Sequence, residues 1–171
     1  MTDAHQTATT GAAAPVLLSP TPIVPVVPVV PVVLDTNVLL SLFVFADSRY
    51  AAIRAALESG TWLALTDARC LHEFRRVLAY DMFHLDAAAQ DAAYAAYLTL
   101  VQVPPPVPAE PVVLPICKDP DDQKFLELAR DGGAQLLVSS DKALLKLARR
   151  RRLAHLFRIL TPDQAMAELL S

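Results

Sequence analysis

An α/β fold around a parallel sheet is what this sequence predicts, and three observations carry that expectation. The runs Val32-Val33-Leu34 and Leu136-Leu137-Val138 are apolar without interruption, as strands buried on both faces are. Segments with apolar residues at helical spacing lie between such runs. Strands alternating with helices pair in parallel through right-handed crossovers.

At 171 residues the chain has room for one ordinary domain whose core needs no staple. The expected division is a tail over residues 1–28 and a single domain over 29–171. The tail is rich in Ala, Thr and Pro and runs into Pro25-Val26-Val27-Pro28-Val29-Val30-Pro31, a repeat that favours polyproline-like backbone, so it is expected to be disordered. Its prolines exclude a membrane helix, and Met1 to Gly11 holds Asp3 but no Lys or Arg, unlike a secretory signal. A cytoplasmic location is the expectation.

Taken in order, the strand ending at Asp35 is followed by a helix capped by Ser48 and running to about Ser59, where Gly60 ends it. Trp62-Leu63-Ala64-Leu65 reads as a short strand. Thr66 or Asp67 then caps a helix whose stripe is Leu71, Phe74, Val77 and Leu78, with Glu73 at its border. Asp86 caps an Ala-rich helix ending before Pro104-Pro105-Pro106. A proline-rich connection from Val103 to Pro111 leads to an extended segment, Val112 to Ile116. Asp119-Pro120-Asp121-Asp122 opens a helix that stops at Gly132-Gly133. The strand at Leu136 hands over through Ser139-Ser140-Asp141 to a helix from Lys142 to Arg150. Phe157 to Leu160 is a last strand, and Thr161 caps a last helix at Pro162.

The net charge is −3, with 19% charged and 54% hydrophobic residues, so any contact with nucleic acid must come from a local patch. Lys142, Lys146, Arg149 and Arg150, continuing into Arg151, Arg152 and Arg158, form one such run; it reads either as a solvated helix face or as phosphate contacts. Arg69, Arg75 and Arg76 extend that surface. Cys70 and Cys117 lack metal-ligand spacing and read as buried thiols of a reducing compartment.

Each acid has a plain structural role open to it. Asp35 can end a strand or cap a helix, Glu73 can pair with Arg69 or Arg76, Asp119 to Asp122 can complement a helix dipole, and Asp141 can cap the helix after it. Their convergence argues further. Asp35 and Asp141 stand at the carboxyl ends of two strands, the edge where α/β sheets bind ligands, and helices can bring Glu73 and Asp122 over the same edge. Carboxylates gathered there repel by several kcal/mol per close pair at an effective dielectric of about 20, a conflict a divalent cation removes. Oxygen-only ligation suits Mg²⁺ or Mn²⁺, which activates water against a phosphodiester.

Four blocks, VVLDTNVLLS, LHEFRRVL, KDPDDQKFLELA and LLVSSDKALL, occur in an order and spacing that resemble PIN-domain proteins, most of all the toxins of toxin–antitoxin pairs. The resemblance spans Val32 to the carboxyl terminus. It implies a three-layer α/β/α sandwich with a small central parallel sheet and a Mg²⁺- or Mn²⁺-dependent endoribonuclease acting on single-stranded or looped RNA. It assigns the metal-holding acids to Asp35, Glu73, Asp122 and Asp141, with Asp119 a further ligand or supporting group and Asn37 and Ser140 beside them. A cognate antitoxin covering the site and a homodimer are the partners it implies. The Pro/Val-rich extension departs from family members that begin near the first strand. The competing reading is a catalytically silent module of the same fold that binds RNA or protein. A dehalogenase-like phosphatase is disfavoured because Asn37 stands where that chemistry wants a second Asp.

Overall fold

The computed structural model describes residues 28–105, 111–150 and 153–170. In chain order its elements are β1 (Val30–Leu34), α1 (Thr36–Phe43), α2 (Ala51–Glu58), β2 (Trp62–Leu65), α3 (Ala68–Leu78), α4 (Ala87–Leu98), β3 (Val101–Gln102), α5 (Gln123–Asp131), β4 (Leu136–Val138), α6 (Lys142–Leu147), β5 (Arg158–Leu160) and α7 (Pro162–Leu169). The strands form one all-parallel sheet in the order β3-β2-β1-β4-β5. The chain therefore builds outward from β1 to one edge and then returns to β1's other side, which puts a topological switch point between the carboxyl ends of β1 and β4.

Alternation along β1 sets the layers. Val32 and Leu34 pack into a core with residues of α1, α2, α4 and α7, while Val33 packs into a second core with α5 and α6. Helix α3 serves both, Phe74 and Leu78 in the first and Cys70 in the second. The result is the expected three-layer α/β/α sandwich. Cys70 and Cys117 are buried and free, and no helix among the described residues is long and apolar enough to cross a membrane.

Pro31 lies in this central strand despite lacking an N–H. The β4 ladder begins only at Val32↔Leu136, so Pro31 stands before β4's first pair, and its carbonyl still accepts from the Gln135 amide at 2.8 Å. Strand β1 thus starts inside the Pro-Val repeat, two residues earlier than Val32. The tail expected to be disordered lies outside the described residues, apart from Pro28, as do the middle of the proline-rich connection and Arg151 and Arg152.

Several elements differ from expectation. Residues 36–43 form a helix, although the run Val38-Leu39-Leu40 carries no clear period; the Asp35 carboxylate caps it by accepting from the Val38 amide. The second helix is entered through a tight turn over Ser48–Tyr50 capped by Asp47 rather than Ser48. Asp67, Asp86 and Thr161 cap α3, α4 and α7 as expected. The segment 112–116 joins no strand. Arg130 reaches its Val112 carbonyl (3.0 Å), and the Gln123 amide accepts from Cys117 N–H (2.7 Å) and donates to the Pro115 carbonyl (3.4 Å), so side chains of α5 satisfy this backbone in place of a sheet partner.

Candidate active site

Asp35 is 2% exposed at the end of β1. Its Oδ1 accepts from the Val38 amide at 2.8 Å; its Oδ2 accepts from the Ser139 hydroxyl and from the Ser140 amide at 3.1 Å. Burial pushes this carboxyl above its ordinary range, the hydrogen bonds from Ser139, Val38 and Ser140 pull it back, and the nearby Asp141 charge pushes it up again. Asp35 is therefore both the cap of α1 and the tie between β1 and the loop leaving β4.

Ser139 is fully buried and links two acids. Its hydroxyl donates to Asp35 and accepts from the Asp141 amide at 2.9 Å. The expectation had placed Ser140 in this supporting role, but Ser140 is exposed and contributes its backbone N–H. The two serines are adjacent and on opposite faces, and only the fold decides which one points inward. Asp141 caps α6, its Oδ1 accepting from the Ala143 amide at 2.5 Å and from Leu144 at 3.2 Å. Its Oδ2 accepts no hydrogen bond among the described residues.

Asp122 lies at the entry to α5, and its carboxylate takes no hydrogen bond from the described residues. Burial first, then the charges of Asp141 and Asp119, raise its pKa to about 7, with Asp35 adding to the effect and Lys124 opposing it. The charges of Asp141, Asp119 and Asp35 thus all act on Asp122. Asp119 is exposed and caps the turn over Pro120–Asp122 by accepting from the Asp121 amide at 3.0 Å.

Glu73 reaches the same edge from α3 but is already partnered. Thr36 Oγ1 donates to its Oε1 at 2.6 Å, and the Lys124 ammonium binds Oε2, with side-chain exposures of 13% for Lys124 and 17% for Glu73. Neither Arg69 nor Arg76 pairs with it: Arg69 binds Asp67 and Glu127, and Arg76 lies over the Tyr80 ring. Asn37 is exposed in the first turn of α1, and its side chain makes no hydrogen bond among the described residues. Thr36, Ser139 and Lys124 are the polar residues that sequence reasoning missed. A short hydroxyl or a lysine on a helix carries no local signal of a partner that is distant in the chain.

The donor set fits a hard divalent cation in kind. It consists of oxygen only, includes acids whose charges act on one another, and leaves Asp122 and one oxygen of Asp141 without a hydrogen bond. Among the described residues no three His, Cys, Asp or Glu side chains are closed into a ready ligand set. The Lys124 ammonium, on Glu73, supplies a positive charge at this edge.

The family model described as "PIN domain" matches residues 31–143, which include the switch point and every acid named above. No curated protein matches the chain.

Proposed function

Because this chain belongs to the PIN-domain family, whose members are generally nucleases, we propose that it is a metal-dependent endoribonuclease cleaving single-stranded or looped RNA. The observation that carries the reading is the joining of Asp35 to Asp141 through the Ser139 hydroxyl, with Asp122 half-buried at the entry to α5 and under the influence of the Asp141 charge. Like charges are held there by the fold at a cost that a cation would offset.

Asp122, Asp141 and Asp35 are the residues that would hold Mg²⁺ or Mn²⁺, with Glu73 and Asp119 at the margins. The bound ion supplies an activated water and stabilises charge developing on the phosphodiester. The chain's own groups do the positioning. Ser139 and the Ser140 amide fix the Asp35 carboxylate, and the α6 backbone fixes Asp141. Thr36 and Lys124 hold Glu73 at the edge with its charge balanced. The similarity of the four sequence blocks to toxins supports placing the enzyme in a toxin–antitoxin pair, with the antitoxin covering this acidic edge.

The test is cleavage of a mixed RNA pool by wild type, Asp35→Asn and Asp122→Asn with Mg²⁺, with Mn²⁺ and with EDTA. Cleavage that needs both metal and the acids supports the reading. Asp122→Asn is the cleaner variant, since Asp35 also caps α1. An undiminished metal-dependent rate in Asp122→Asn would sink the assignment, and RNA that is bound but never cut would favour the silent binding module.

A further inference from the structure

Most lysines and arginines among the described residues are either ion-paired or free of any acid. Arg49, Arg54, Arg69, Arg75, Arg130 and Arg158 are each ion-paired with a carboxylate, Lys124 holds Glu73, and Arg76 lies over Tyr80. Among the described residues Lys118, Lys142, Lys146, Arg149 and Arg150 pair with no acid, and all are exposed. Four of these unpaired cations line two adjoining clefts. One, of about 420 Å³, is bounded by Lys118, Asp119, Asp141, Lys142 and Lys146; the other, of about 470 Å³, by Lys142, Leu145, Lys146 and Arg149. The clefts share Lys142 and Lys146, and the first ends at the acids of the candidate site.

The α6 dipole does not account for this grouping. It favours cations at a helix carboxyl end, whereas Lys142 occupies the first position of α6 and Lys118 lies in a separate segment. Lys142 and Lys146 lie one turn apart on α6, about 6 Å along its axis at a rise of about 1.5 Å per residue, and Arg149 lies in the turn that follows the helix. Of the three arginines of α3, Arg69 is ion-paired with Asp67 and Glu127 and Arg75 with Asp91, while Arg76 lies over the Tyr80 ring.

We propose that Lys118, Lys142, Lys146 and Arg149 form a one-sided track for the backbone of a single-stranded polynucleotide, leading away from Asp141 along α6. The proposal rests on the nuclease reading for its purpose, and its ligand chemistry is the phosphodiester chain, from RNA or DNA. Substrate is gripped along the clefts that border α6 and end at Asp119 and Asp141.

Fluorescence anisotropy of labelled oligouridylate and oligothymidylate with the full chain in EDTA, over a range of salt, tests it without cleavage. Four phosphate contacts give the wild type a log–log salt slope of about −3 on a single strand. Lys142→Gln, Lys146→Gln and Arg149→Gln each weaken binding and reduce the magnitude of that slope by about 0.7. Arg49→Gln and Arg158→Gln, which remove the same charge from ion-paired positions, leave affinity and slope as in wild type. Equal losses on both oligonucleotides assign the shared backbone, and losses on oligouridylate alone assign the track to RNA. Wild-type slopes in the α6 variants, equal losses in the two controls, or no binding by the wild type would each overturn the track. If the track variants lose binding while the wild type cuts nothing with Mg²⁺ or Mn²⁺, the nuclease reading falls and the track stands. If the wild type cuts and the α6 variants bind as it does, the reverse holds.

Discussion

The ε-ammonium of Lys124, on α5, sits on the carboxylate of Glu73, on α3, and also donates to the Asp121 carbonyl. It joins two helices across the acidic edge and supplies a fixed positive charge where negative charges gather.

Lys124→Gln leaves a mostly buried carboxylate short of its donor and lowers stability without metal by about 1–3 kcal/mol, read by urea denaturation in EDTA. With less positive charge in the site, Mn²⁺ raises the melting temperature of the variant more than that of wild type. Equal shifts in the two proteins would show that the ammonium and the added ion act independently.

A pH dependence follows from Asp122. Its pKa rises from the ordinary 3.8 to about 7 through burial, then through Asp141 and Asp119. Across that window the folded protein keeps a proton that the unfolded chain has released, so this contribution to stability is complete at the acid end and is lost as pH rises through the folded value. Asp122→Asn flattens the decline. At about pH 8 it is more stable than wild type by about 1–2 kcal/mol, since solvent screens a half-exposed group. Urea midpoints measured across the window check this, and parallel profiles for the two proteins would contradict it.

Ser139→Ala removes the donor to Asp35 and the acceptor for the Asp141 amide together. Two buried polar groups losing one partner predicts a loss of about 1–3 kcal/mol. RNA cleavage per folded molecule falls along with it, because the Asp35 carboxylate is held to the loop leaving β4 by the Ser140 amide alone. Ser140→Ala, which keeps the backbone N–H, retains wild-type stability and rate.

Asp86→Ala is the remote counterpart. The cap of α4 accepts from the Ala89 amide at 2.8 Å, and its loss costs about 0.5–2 kcal/mol in denaturation. Cleavage by the folded fraction is unchanged.

The strands β1, β2 and β4 were legible because buried parallel strands are written as short apolar runs, β5 because Phe157 and Ile159 flank Arg158 in alternation, and the caps Asp67, Asp86 and Thr161 because their chemistry is local. Helix α1 was not, since its Val38-Leu39-Leu40 run is buried throughout and only Asn37 and Ser41 mark a polar face. The sign of it was Asp35 itself, a residue read for its charge that is also a cap. Strand β3, two residues on the sheet edge, is defined by its pairing with Ala64 and Leu65 and by nothing in Val101 or Gln102 alone. The acids were legible as a set, but their partners were not: Thr36 and Lys124 meet Glu73 across helices distant in the chain. The basic run near α6 could be seen, yet its contrast with the ion-paired arginines elsewhere needed the fold.

The bond from Ser139 to Asp35 spans 104 positions of chain. A growing polypeptide that has left the ribosome only as far as α5 carries Asp35, Glu73 and Asp122, but neither the hydroxyl that holds the first acid nor the fourth acid. The acidic edge is therefore assembled only once the segment after β4, from Ser139 to Asp141, has been made, so its formation belongs to the late steps of folding.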